Sequence, residues 1–143
     1  VLNAEGKAST LYMGCYGIGV SRLVAAAIEQ NFDEKGIIWP HSIAPFDINI
    51  ISIGHNKDQE ITTASIKLYE ELSKMNYSVL LDDRKDGYGT KIKDSELIGI
   101  PLNIVIGKNY LENKEVELIG RNGETSSNPI TEIKTILEFF KDK

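Results

Sequence analysis

The sequence predicts an α/β fold in which a mixed, largely parallel sheet is flanked by helices, preceded by a strand and helix of different character. Three observations carry this. From residue 46 onward strand-length apolar runs alternate with helix-length amphipathic stretches, the links between them are short, and a glycine-bearing run at residues 13–19 opens the first helix. Such alternation implies right-handed crossovers between parallel strands, because a right-twisted strand feeding a helix packs back onto the sheet only that way.

Residues 1–7 read as a strand end and a Glu-Gly turn, and Ser9, Thr10, Leu11 and Tyr12 lead into Met13-Gly14-Cys15-Tyr16-Gly17-Ile18-Gly19, completing a hairpin. A two-stranded hairpin is not stable alone, so these residues are expected to belong to a larger sheet. Glycine weakens a strand interior. Gly14, Gly17 and Gly19 on one short strand therefore imply a ligand or a second backbone that approaches too closely for a Cβ. Val20, Leu23, Val24, Ala27 and Ile28 then follow helical periodicity, which puts Arg22 in the first turn. Pro40 and Pro45 disfavour helix between them and suit an extended connector. The boundary is placed there, dividing the chain into residues 1–42 and 43–143.

Residues 46–54 mix alternation with an apolar run, as a strand covered on both faces does. Asn56, with Gln59 three residues on, is the expected cap of a helix whose buried stripe is Ile61, Ala64, Ser65, Leu68, Leu72 and Met75. A second strand spans 77–81. A short helix at 90–98 is entered through Gly87-Tyr88-Gly89, and the Ile100-Pro101 turn leads to a third strand at 102–107. Residues 115–119 alternate as a fourth strand, followed by a turn at Arg121-Asn122-Gly123-Glu124 and a polar loop over 124–128. Asn128 and Pro129 are expected as N-cap and first helical residue of a last helix, with Ile130, Ile133, Ile136, Leu137 and Phe140 on its inner face.

Composition narrows the function classes. The 143 residues, 41% of them hydrophobic, suffice for one core with an appendage. No run approaches the roughly 18 apolar residues of a membrane span, and the single cysteine, Cys15, has no partner for an intrachain disulfide. Both favour a reducing, cytoplasmic setting and no membrane partner. A net charge of −5 argues against a broad phosphate-binding face and for a small local site. His41, His55 and Cys15 stand too far apart to suggest a metal centre, and Cys15 has no base beside it that would make it a nucleophile.

The glycine strand followed by a helix arginine resembles motif 3 of class II aminoacyl-tRNA synthetases. The wording MGCYGIGVSRLVAAAIEQ, then DEKGIIWPHSIAPFDINII, resembles the bacterial-type prolyl-tRNA synthetases most specifically, and the likeness runs through essentially the whole chain. The resemblance implies a remnant of the antiparallel catalytic domain followed by an anticodon-binding domain. It implies that Arg22 is a catalytic residue over the adenylate pocket, where its planar, permanently charged fork stacks on adenine or pairs with a phosphate. Gly17 and Gly19 would leave room for ATP beside it, and Gly14 and Cys15 would border the proline pocket. It further implies a homodimeric parent that uses ATP, Mg²⁺, proline and tRNA(Pro). The chain alone, lacking the motif 2 arginine, is expected to be neither catalytic nor cofactor-bearing.

A second cluster, Asp82 to Pro101, runs from a strand's carboxyl end into a helix N-terminus, where ligands bind in open α/β sheets. Proline anticodons share two guanines, whose N1 and N2 donors lie beside the O6 acceptor, so their recognition wants a carboxylate beside a cation. Splayed bases are read in this way, with an aromatic such as Tyr88 for stacking. The resemblance carries over Arg84 and Lys91 as anticodon contacts, with Asp94 and Glu96 beside them. Family members often read DDRxERPGxK here, whereas this chain has Asp86, Gly87 and Tyr88 at the Glu, Arg and Pro places. Two alternatives stand beside this reading: a noncatalytic synthetase-like accessory module, and a class II synthetase of threonyl, histidyl or glycyl type.

Overall fold

A computed structural model describes residues 1–55 and 57–141. The chain opens on a tight reversal at Leu2 and Ala8, where the Asn3 side chain accepts the amides of Glu5 and Lys7 at 3.1 and 2.9 Å. The expected glycine strand is not formed. Residues 9–19 carry neither helix nor strand, and Tyr12, Met13 and Tyr16 are almost fully exposed. A strand exists only where a neighbour takes up its backbone donors and acceptors, and past Ser9, whose amide donates to the Val1 carbonyl at 2.8 Å, none of the described residues forms a ladder with this run.

Helix α1 (Val20–Gln30) begins after Gly19, as its periodicity predicts, with Ala26, Ala27 and Ile28 half-buried and Val20, Leu23 and Val24 exposed. Asn31 ends it and at once anchors a hairpin, accepting the Ile38 amide at 2.8 Å on its carbonyl. That hairpin pairs β1 (Phe32–Asp33) with β2 (Gly36–Ile37). The connector after it holds a 3₁₀ turn at His41–Ile43 between its prolines.

The α/β unit follows as β3 (Ile48–Ser52), α2 (Gln59–Lys74), β4 (Val79–Asp82), α3 (Tyr88–Ile98) and β5 (Leu102–Ile106). It continues with α4 (Lys108–Asn113), β6 (Glu115–Gly120), β7 (Thr125–Pro129) and α5 (Ile133–Lys141). The sheet order is β4-β3-β5-β6-β7. Strand β3 pairs parallel with both β4 and β5, while β6 and β7 add as antiparallel strands. The mixed sheet with a parallel half is therefore the one expected.

Four local details differ from the sequence reading. The cap of α2 is Asp58, whose carboxylate accepts the Glu60 and Ile61 amides at 2.9 and 3.2 Å, and Asn56 lies outside the described residues. Met75, placed on the buried stripe, is the C-cap residue and only partly buried. The polar run at Thr125–Pro129 is a strand instead of a loop, held by its ladder to β6 without any apolar face. Asn128 sits in that ladder opposite Val116, so it cannot cap a helix; α5 starts later, through a 3₁₀ turn at Ile130–Glu132. The inner-face position read for Phe140 lies outside the described side chains.

The two faces of the sheet are chemically unlike. Ile48, Ile50, Ile104, Ile106, Val116 and Leu118 face α2 and α5, where Ile61, Leu68, Leu72, Ile133 and Leu137 close the core. Each such side chain contributes about 1.5–3 kcal/mol on full burial. The period of two then sends Asn49 and Asn103 to the opposite face, under α3, and both are 2% exposed. That face is mixed, since Ile51 and Val105 are buried on it beside the two asparagines.

Asp33 ties the hairpin to the sheet. Its carboxylate accepts both Nη groups of Arg121, at 3.0 and 2.6 Å, and the Lys35 and Gly36 amides. The Arg121 fork and those two amides hold the carboxyl well below the usual carboxylate range. A depressed folded-state value stabilises above the unfolded value, near pH 4, and the contribution is lost as pH falls below it. Amide exchange of β1 and β2 is therefore expected to lose protection below about pH 4 before β3 does. Asp33→Asn should remove that pH dependence.

Candidate nucleic-acid interface

Beyond the end of β4 the chain turns through residues 83–87 and enters α3, and a cleft of about 360 Å³ opens between them. Asn49, Leu80, Asp82, Arg84, Lys91 and Asp94 are among its lining residues. Strand β4 is the sheet's edge, so among the described residues no further strand walls the cleft on that side.

Arg84 organises the cleft. Its Nε and Nη2 donate to the two oxygens of Asp82 at 3.0 and 2.8 Å, a bidentate fork, while Nη1 lies 2.8 Å from Asp94 and 3.5 Å from Asp86. Hydrogen bonds that the guanidinium donates to the Asp82 and Asp94 carboxylates push its pKa further up. Burial pushes Asp82 up, but the Arg84 side chain and amide and the charge of Lys91 outweigh it and leave the carboxyl below its ordinary value. The edge of the guanidinium is thus committed inside the protein. Its flat faces remain, and the side chain is 47% exposed.

Lys91 is placed differently from the expectation. Only 1% of the residue is exposed, and its ammonium donates to the Ser52 and Asp82 carbonyls at 2.8 and 2.9 Å, 3.4 Å from the Asp82 carboxylate. These bonds tie α3 to the ends of β3 and β4. Ser95, one helical turn on, shares Asn103 Oδ1 with Asn49 Nδ2. These buried polar partners were not singled out in the sequence; Asn49 and Asn103 interrupt apolar strands, which was the available signal. Asn49 Oδ1 has no partner among the described residues.

Asp94 stands in the cleft on Arg84. Glu96 does not, because it turns toward the hairpin and pairs with Lys35 at 2.8 Å. Tyr88, half-exposed at the start of α3, has its hydroxyl pKa raised by burial and then by Glu117 and Glu96. The cleft therefore presents a guanidinium face ringed by carboxylate acceptors. Such a site suits an aromatic base with N–H donors, stacked on the arginine, better than a phosphate.

The residues of the glycine run are exposed. Cys15 is an exposed free thiol. A Cβ on Gly17 would meet nothing within 4 Å, on Gly14 it would meet only the Tyr16 ring, and on Gly19 the nearest atom is the Arg22 Cβ at 3.4 Å. Arg22 lies in the first turn of α1, exposed, and makes no salt bridge among the described residues. Val20, Leu23 and Val24 on the same helix line an apolar groove of about 420 Å³ with Trp39, Ile43 and Pro45.

The sequence profile of the family described as "Anticodon binding domain" matches residues 47–141. Among solved structures, a prolyl-tRNA synthetase from Cryptosporidium parvum complexed with L-proline and AMP aligns with a TM-score of 0.72 and 28% identity, over 85% of this chain and 28% of that one. A Giardia lamblia prolyl-tRNA synthetase in complex with prolyl-adenylate aligns with a TM-score of 0.68 and 30% identity, over 79% of this chain and 25% of that one. The chain thus spans about a quarter of the length of these synthetases. With a sheet of this topology, a cleft at its parallel edge and these matches, the chain belongs to the anticodon-binding domain family and is similar to prolyl-tRNA synthetases.

Proposed function

We propose that this chain is the anticodon-reading part of a cytoplasmic, homodimeric proline–tRNA ligase, with residues 43–143 forming the tRNA-binding domain and residues 1–42 one wall of the active site. The observation that carries the reading is the Arg84 guanidinium, held by Asp82 and Asp94 at the mouth of the cleft in a domain whose family binds anticodons. A guanine of the tRNA(Pro) anticodon stacks on the guanidinium face and gives an N1 or N2 proton to the exposed Asp94 carboxylate. Asp94 is the acceptor, Arg84 the platform that Asp82 holds in place, and Lys91 the buried pin that fixes both strands beneath them.

In the same reading, the exposed Arg22 reaches an ATP phosphate or the adenine, Gly17 and Gly19 border the nucleotide, and Gly14 and Cys15 border proline. Arg22 fits an anionic nucleotide because it is exposed and has no carboxylate on it among the described residues. ATP supplies the activated phosphoanhydride. The described residues contain no cluster of donors for Mg²⁺, so the metal is assigned to no residue of this chain.

The reading is tested with anticodon stem-loops. The chain should bind a loop carrying guanines at the second and third anticodon positions better than one with those bases replaced, and Arg84→Ala should cut that preference by about 1–3 kcal/mol. Loss of binding to both loops alike, with a flatter salt dependence, would make Arg84 a phosphate contact. Equal binding of both loops by the unaltered chain would favour the accessory-module reading.

A further inference from the structure

Helix α3 lacks the usual anchor of a sheet-packed helix. Its buried residues are Lys91 and Ser95, both polar, while Leu97 and Ile98 near its end remain 62% and 41% exposed. An apolar stripe ordinarily fixes such a helix, and here none does. Lys91 and Ser95 pin its first turns to the sheet. The last turn is gripped from outside, by the hairpin that precedes the family-matched region.

The grip is close. A Cβ on Gly36 would stand 2.4 Å from the Leu97 Cα, and one on Gly99 would stand 2.3 Å from the Ile37 carbonyl oxygen, so the two backbones touch where only glycine fits. Trp39 Nε1 donates to the Ile98 carbonyl at 2.7 Å, satisfying one of the acceptors a helix end leaves open. Lys35 holds Glu96. On the far side Arg121, just beyond β6, clasps Asp33 and donates through Nε to the Ile37 carbonyl at 3.0 Å. The hairpin is therefore wedged between α3 and the sheet.

We infer that the 31–39 segment is a brace that sets the pose of α3, and that Gly36, Trp39 and Arg121 are positioning residues for the cleft. Asp94 lies one turn before Ile98 on the same rigid helix, so a tilt at the gripped end moves its carboxylate away from Arg84. The functional anticodon-binding unit then begins at Asn31, upstream of the match at residue 47, and residues 31–42 belong to it and not to the active-site wall. The inference rests on the proposed reading of the cleft as an RNA site.

Hydrogen exchange and stem-loop binding on the full chain, unaltered and carrying Gly36→Ala or Trp39→Phe, test it. In Gly36→Ala, exchange across α3 should rise about tenfold while β3 and α2 stay unchanged, and the preference for guanine-bearing loops should fall severalfold. Trp39→Phe keeps an aromatic side chain but loses the indole N–H and part of the ring, so its effects should have the same direction and reach about fivefold. If Gly36→Ala does not fold, Trp39→Phe decides. Unchanged α3 exchange in the folded variants would overturn the brace, and faster exchange with an unchanged guanine preference would overturn its role in positioning. If the unaltered chain binds no stem-loop, the RNA reading fails, and the exchange data alone still uphold or overturn the brace.

Discussion

Replacing Lys91 by alanine is expected to destabilise the α/β unit by about 3–5 kcal/mol, because removing one partner of a buried ion pair leaves the other uncompensated. Two carbonyls, of Ser52 and Asp82, lose their donor at the same time, and Asp82 keeps only Arg84. Against a total stability of about 5–15 kcal/mol this is a large fraction, readable as a lower midpoint in chemical denaturation. Lys91→Met separates charge from volume. It keeps most of the buried stem and should still cost about 1–3 kcal/mol, the penalty for leaving buried polar groups unmet. A methionine variant as stable as the original chain would mean that the ammonium is free to serve a ligand, as the sequence alone suggested.

Arg22→Ala carries the other large effect. In a ligase containing this chain, proline-dependent ATP–pyrophosphate exchange should fall by about two to three decades, the loss of roughly 2–4 kcal/mol of transition-state stabilisation from one charge-assisted contact. Affinity for tRNA should stay within about twofold, because Arg22 lies on α1 whereas the cleft is built from β4, the loop after it and α3. Arg22→Lys should recover only part of the rate, since an ammonium lacks the planar fork. Exchange within threefold of the original in the alanine variant would reduce Arg22 to an exposed helix residue.

The cluster at residues 82–96 shows what a sequence conveys about a site. Asp82, Arg84, Lys91, Asp94 and Glu96 are adjacent in the chain, so their grouping on one loop and helix is legible, yet their roles divide in space. Lys91 points under the helix, Asp94 beside it into the cleft, and Glu96 out to Lys35, because each residue advances the helix by about 100°, which carries Glu96 to the side away from Asp94. The short helix α4 and the strand β7 escaped the reading for a related reason. Neither carries a buried stripe, so nothing in their composition marks them, and β7 exists only because β6 offers it a ladder.

By itself the sequence determined the α/β unit, the order of its main strands and helices, the start of α1 at Arg22's turn and the family resemblance, since these follow from periodicity and local wording that each segment carries alone. Tertiary structure decided the rest. That Lys91 is buried, that the edge of Arg84 is taken up by carboxylates, that residues 9–19 form no strand and that a hairpin reaches across to hold the end of α3 all depend on partners distant in the chain. Such contacts depend on how packed elements meet, and no local pattern of residues encodes that meeting.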